Sequence, residues 1–184
     1  MSEKTLLILD LDETIMHASE SALSTTCDFR MEGYYVYKRP YLKDFIDTIK
    51  DSYRIAIWSS AIENYAFGVV KNLSTDIEAL FIENLEFFWA RNQCTPMESQ
   101  VTKDGYYLKD LTRVEEAGYN MDRVLMVDDE TRKLHRNYDN AIFIEPFKGD
   151  TTDSELKRLS RYLTKIKNIE NLRDLEKRFW DREV

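Results

Sequence analysis

Two short acidic motifs carry the strongest chemical signal in this chain. Asp10-Leu11-Asp12 follows the apolar run Leu6-Leu7-Ile8-Leu9, and Asp128-Asp129 follows Val124-Leu125-Met126-Val127. Along an extended chain, Asp10 and Asp12 fall on one side while Leu11 turns into the core. A lone DxD after a strand is more often a turn or a helix cap than a site of chemistry. A second strand ending in Asp-Asp points to function, because two coincident acidic strand ends are costly without one. Four carboxyl groups brought together cannot all stay ionised without compensation. A divalent cation is the simplest compensation, and oxygen-only ligands select Mg2+ ahead of Zn2+, since no His or Cys is placed to argue otherwise. Mg2+ held by a few carboxylates completes its shell with water and substrate phosphate, so a phosphate site follows.

A third polar strand end is Ser59-Ser60, after Ile55-Ala56-Ile57-Trp58. Ser60 with Glu63 has the spacing of a capping box for a helix starting near Ala61. That leaves Ser59 uncommitted, free to meet a phosphate beside the exposed amides of a helix N-terminus.

These motifs need elements to position them. The runs at residues 6–9, 55–58, 124–127 and 141–144 do not alternate polar with apolar, so they read as strands covered on both faces, as in a parallel sheet. Between them, Leu42, Phe45, Ile46 and Ile49 follow helical spacing just after Pro40, and Ile62, Tyr65, Val69 and Leu73 form a second stripe. The tail repeats the spacing through Leu156, Leu159, Leu163 and Ile166, then Ile169, Leu172 and Leu175. Strands alternating with helices predict an α/β, Rossmann-like three-layer fold with a central parallel sheet, whose ligands bind beyond the strands' carboxyl ends. Two regions break the pattern. Residues 17–37 predict a β-hairpin turning at Glu32-Gly33, a flap after the first strand. Residues 86–107 read as irregular, with Gly105 in a turn. With no internal repeat or linker, residues 1–184 are expected to form one domain without a large cap.

Composition narrows the function classes. There are 26 Lys+Arg against 34 Asp+Glu, a formal net charge of −8, which disfavours nonspecific nucleic-acid binding and docking to an anionic membrane. Hydrophobic residues at 43% supply a core, so the chain is expected to be ordered. Cys27 and Cys94 form no CxxC pair and suggest a reducing compartment. The N-terminus lacks a signal-peptide pattern and no apolar stretch reaches the ~20 residues of a bilayer span, so the expectation is a soluble, cytoplasmic protein. Oligomeric state is not legible.

The string Asp10-Leu11-Asp12-Glu13-Thr14 resembles the DxDxT signature of haloacid-dehalogenase-type phosphatases. Extended through Ile15-Met16-His17, it is similar to one branch, the small C-terminal-domain phosphatases and NLI-interacting-factor-like proteins. Lys38-Arg39-Pro40, Tyr107-Leu108-Lys109-Asp110-Leu111 and Asp153-Ser154-Glu155-Leu156 agree in the same order. The resemblance implies that Asp10 is the nucleophile and forms an aspartyl-phosphate. Asp12 is implied to be the general acid and then base, with its backbone carbonyl on Mg2+. Thr14 would orient the loop, Ser59 would hold a phosphoryl oxygen and Lys109 would neutralise developing charge. Asp129 matches the remaining metal-ligand position, often Asn in this branch, and Asp128 would position Lys109. Asp10, Asp12 and Asp129 are thus the implied metal ligands. Lys103 rivals Lys109, but Thr102-Lys103-Asp104-Gly105 reads as a turn. His17, His135 and Arg91 are read as structural or solvated, while Tyr34, Tyr35 and Tyr37 either flank the site or pack on the sheet.

The leading expectation is a Mg2+-dependent phosphomonoester hydrolase acting on phosphoserine or phosphothreonine in a protein segment, because little chain remains to build a cap over a small substrate. Alternatives are a phosphatase of small metabolites or nucleotides with the hairpin as a lid, and a non-enzymatic phosphoacceptor switch. The motif order, DxD first and Asp-Asp last, argues against the switch.

Overall fold

The computed structural model describes residues 4–99 and 103–184. The first half runs through β1 (Thr5–Leu9), β2 (Met16–Ser19), β3 (Phe29–Met31), β4 (Tyr34–Lys38), α1 (Leu42–Ile49), β5 (Tyr53–Trp58) and α2 (Glu63–Leu73). The second half adds β6 (Phe88–Trp89), β7 (Thr95–Glu98), β8 (Gly105–Leu108), α3 (Thr112–Glu116), β9 (Val124–Asp128), β10 (Ala141–Phe143) and α4 (Glu155–Ile166). The four apolar runs form parallel strands as expected, in a five-stranded sheet of order β10-β9-β1-β5-β6.

Their unbroken hydrophobicity has a simple cause: the sheet is covered on both faces. Leu7, Leu9, Ile55, Ile57, Leu125 and Val127 pack with α1, α2 and α4, while Leu6, Ile8, Ala56, Trp58, Val124 and Met126 pack with Leu111, Val114 and Leu134 on the other side. The layers are therefore helix, sheet, helix. β1 is central, and its neighbours on either side are β5 and β9, so residues 10, 59 and 128 emerge at one edge.

The flap after β1 is a three-stranded antiparallel sheet, order β2-β4-β3. The β3–β4 turn falls at Glu32-Gly33 as expected, with both residues at positive φ (47° and 93°), which suits the twist of a two-residue hairpin. Met31 of β3 meets α2 at Gly68, where an added Cβ would overlap the Met31 side chain.

Several expectations need correction. The segment at 86–107 is not irregular: it holds the fifth parallel strand, β6, and the β7–β8 antiparallel pair. Two-residue β6 is too short to leave a periodic signal. Gly105 opens β8 instead of sitting in a turn. Of the turn expected at 102–105, Thr102 lies outside the described residues. The capping box does not form, because α2 starts at Glu63 with Ile62 as an uncapped N-cap residue, and Glu63 instead accepts from Asn92. The second tail stripe is not a helix either. After α4 the chain makes only 3-10 turns, one at Leu172–Asp174. Both cysteines are free thiols, Cys94 buried and Cys27 partly so. Among the described residues no helix is long and apolar enough to cross a membrane.

Candidate active site

Asp10 follows β1 directly, and its amide donates to the Val127 carbonyl of β9, so the strand pairing extends into the motif. Its carboxylate is 1% exposed and lies between two lysines: Lys109 Nζ is 2.7 Å from Oδ1, and Lys133 Nζ is 3.2 Å from Oδ2. Burial alone would raise the Asp10 pKa, but the charges of Lys109 and Lys133 outweigh it and hold the carboxyl below its ordinary value. Asp10 is therefore ionised.

Asp12 behaves in the opposite way. Burial, reinforced by the negative charges of Asp10 and Glu13, lifts its pKa to about 7. Its Oδ1 receives only a long hydrogen bond, 3.4 Å, from the Tyr65 hydroxyl. Two carboxyl groups two residues apart thus hold different protonation states near neutrality.

Lys109 follows β8 and is fully buried. It stands 2.7 Å from Asp10 and donates at 2.7 Å to Asp128 Oδ2, so Asp128 holds it against Asp10. Asp128 Oδ1 in turn accepts from the Glu130 amide at 2.9 Å. Burial and the charge of Asp10 push Asp128 upward against the pull of Lys109. Asp129 is less buried, and its pKa is lifted to about 7 by burial, with the pull of Lys133 opposed by Asp128 and Asp10.

Ser59 is fully buried after β5, and its Oγ accepts from the Ala61 amide at 3.0 Å, a local turn bond that leaves the hydroxyl proton unassigned. Sequence reasoning gave the cap to Ser60, whereas the serine making the turn is Ser59. Thr14 is buried and its carbonyl accepts from Arg39, while its Oγ1 makes no hydrogen bond. The site residues read from sequence therefore sit along one sheet edge, with Asp10, Lys109, Asp128 and Asp129 in one cluster, Asp12 in the loop beyond β1 and Ser59 at the neighbouring strand end.

The donor set fits a hard cation. Asp10, Asp128 and Asp129 each offer a carboxylate oxygen, all within 4.8 Å of one another. Oδ1 of Asp129 is buried without a hydrogen bond, 3.6 Å from Lys133 Nζ, which leaves its lone pairs to be satisfied. The Asp12 side chain is not in that group.

A cleft of about 580 Å3 opens beside the cluster and meets it at Lys133, and is also lined by Asp12, Glu13, Tyr34, Ser60, Tyr65, Arg91 and Glu130. Arg91 is not a solvated side chain: its Nε donates to the Ser60 carbonyl at 2.7 Å and its guanidinium stacks 4.5 Å from the Tyr107 ring centroid. The three hairpin tyrosines divide. Tyr34 lines the cleft edge-on to Tyr65, Tyr35 stacks with Arg30, and Tyr37 is buried against His17 and receives the Leu23 amide. His17 pairs with Glu13 at 2.8 Å and His135 with the Arg132 carbonyl, both in keeping with structural roles. Lys103 is exposed, next to the undescribed residues.

Lys133 was missed by sequence reasoning. Its only signal is position, one turn after Asp-Asp and four residues past Asp129. Burial and four carboxylates act on it in opposite directions, and Asp10, Asp128, Asp129 and Glu130 prevail to raise its pKa.

Comparison with known proteins gives a consistent picture. The family described as NLI interacting factor-like phosphatase matches residues 5–173. Nuclear envelope morphology protein 1 of Saccharomyces cerevisiae is 29% identical over 96% of the chain, and CTD small phosphatase-like protein 2 of Dictyostelium discoideum is 28% identical over 94%. The chain spans only 44% and 29% of those relatives' lengths. Among solved structures, the fission yeast RNA polymerase II CTD phosphatase Fcp1-R271A bound to beryllium fluoride superposes with a TM-score of 0.59. It shares 17% identity and the match covers 91% of this chain and 52% of that one, which establishes a common fold.

Proposed function

The chain belongs to the NLI interacting factor-like phosphatase family, and from that premise we propose that it hydrolyses phosphoserine or phosphothreonine in a protein segment, through a phosphorylated Asp10 and with Mg2+. The observation that carries the reading is the split between Asp10, ionised between two lysines, and Asp12, lifted to about 7. Paired titratable groups driven apart in this way mark an acid and a nucleophile or base.

In the first step an Asp10 oxygen bonds to phosphorus as the P–O bond to the serine or threonine breaks, and Asp12 gives its proton to the leaving oxygen. In the second, water bonds to phosphorus, the Asp10–phosphorus bond breaks, and Asp12 takes the proton back. A pKa near 7 suits a group that must work in both directions at neutral pH. Lys109, fixed between Asp10 and Asp128, is placed to neutralise charge on the transferring oxygens, and the Ser59 hydroxyl to donate to one of them. Thr14 ties the loop through its backbone carbonyl, which accepts from Arg39 Nη1. Asp10, the Asp12 backbone carbonyl and Asp129 would hold Mg2+, which supplies electrostatic stabilisation of phosphoryl charge when bound. Uncatalysed phosphomonoester hydrolysis is slow enough that enzymes accelerate it by up to ~10²¹-fold, mostly by positioning and charge.

Three observations support a protein segment as substrate. The cleft over Asp12 is open, its flap is a hairpin sheet instead of a cap domain, and two of the proteins compared above carry CTD phosphatase names. We treat residues 1–184 as one domain and the location as cytoplasmic. Release of phosphate from phosphopeptides, with and without Mg2+, tests the proposal. Mg2+-dependent turnover that Asp10→Asn abolishes is expected, whereas undiminished activity in that variant would overturn the mechanism.

A further inference from the structure

No step above uses Lys133, although it stands in the middle of the carboxylates. The cluster holds two ammonium groups, and they are not equivalent. Lys109 is fully buried, 2.7 Å from both Asp10 and Asp128. Lys133 lies on the cleft side, carried by the one-turn 3-10 helix Thr131–Leu134. Its Nζ is 3.2 Å from Asp10 Oδ2 and 3.3 Å from Glu130 Oε2, but 3.6 Å from Asp128 Oδ1 and from Asp129 Oδ1. It is central to the cluster without being tightly bonded to most of it, and the atom it fails to satisfy, Asp129 Oδ1, stays without a hydrogen bond.

An ammonium and a divalent ion that seek the same carboxylates repel each other. Asp10 and Asp129 are the side chains the proposed metal would use, and Lys133 contacts both. A lysine is a point charge on a flexible four-carbon stem, so it can leave without rearranging the backbone. Here the open cleft lies on its side of the cluster.

We propose that Lys133 is a built-in counter-cation: it neutralises Asp10, Asp128 and Asp129 when no metal is bound, and it must swing into the cleft for the divalent ion to enter. The inference rests on the Mg2+ reading above and adds the residue that sets this chain's affinity for the metal. The metal-free site keeps its carboxylates compensated, at the cost of weaker metal binding.

The test is calorimetric titration of Mg2+ into the wild-type chain and Lys133→Met, which keeps the arm and removes the charge. The variant should bind Mg2+ at least ~10-fold more tightly, since the ion no longer displaces a like charge, and should melt lower than wild type without metal. Equal or weaker binding by the variant overturns the inference while leaving the metal reading intact. Absence of Mg2+ binding in both proteins overturns both. If metal-free Lys133→Met does not fold, wild-type crystals soaked in Mg2+ decide the matter. Lys133 Nζ turned into the cleft upholds the displacement, and Nζ still between Asp10 and Asp129 beside a bound ion refutes it.

Discussion

At Asp10 and Asp12 two identical side chains are given opposite properties by their neighbours. Lysine charge keeps Asp10 ionised, and burial beside Asp10 and Glu13 keeps Asp12 protonated up to about pH 7. Asp10→Asn should lower phosphopeptide turnover by at least ~10³-fold, about 4 kcal/mol of transition-state stabilisation, while circular dichroism shows a folded protein. Asp12 also leaves a stability signature. Its folded pKa, about 7, exceeds the ordinary 3.8, so the folded state binds this proton more tightly than the unfolded chain. Below about pH 4 the group contributes no penalty, and stability is lost as pH rises from about 4 to 7. Metal-free Asp12→Asn should therefore match the parent near pH 4 and exceed it at pH 8 by on the order of 4 kcal/mol, read as a higher Tm. Equal melting shifts at both pH values would contradict the assignment. The acidic residues were legible because each ends a strand and strand ends can be read from apolar runs. Lys133 was not, because its burial among carboxylates depends on how the segment after β9 folds back on itself and meets Asp10 after β1.

The elements that carry the site are tied by one buried cation. Arg39, 1% exposed, donates from Nε and Nη2 to both oxygens of Asp153, from Nη1 to the Thr14 carbonyl and from Nη2 to the Glu145 carbonyl. It joins the loop after β1, the end of β4 and the entry to α4 in a bidentate pair that lysine does not reproduce. Arg39→Met leaves Asp153 with only the Glu155 amide as a donor and removes the Arg39 bonds to two carbonyls, so it should cost about 3–5 kcal/mol in denaturant unfolding. A loss below ~1 kcal/mol would show that the tie is not structural. The two motifs containing these residues were read from sequence as separate marks of resemblance, and their pairing emerged only in three dimensions. Parallel strands were legible for a related reason, since burial on both faces removes polar residues from them. β6 and the Ser59 turn were hidden because a two-residue strand has no period, and a serine bond to an amide two residues on competes with the capping box.

For the whole molecule, the −8 charge and the open cleft belong together. Negative charge is gathered at one sheet edge, where Lys109 and Lys133 compensate it, and Arg91 adds a second cation beside Lys133 to a cleft lining that also holds Asp12, Glu13, Glu32 and Glu130. A wide mouth flanked by the Tyr34 edge of the flap suits a peptide better than an enclosed metabolite. Across a panel of phosphopeptides and small phosphomonoesters, kcat/KM should be higher for peptides by at least ~10-fold, and the reverse order would favour the metabolite reading. The central claim, that Asp10 itself carries the phosphoryl group, has a direct test. Mixing enzyme, Mg2+ and phosphopeptide, quenching within one turnover and reducing with borohydride should convert residue 10 to homoserine, as peptide mass spectrometry would read. Turnover with residue 10 recovered only as aspartate, or with the reduced acid elsewhere in the chain, would contradict the account.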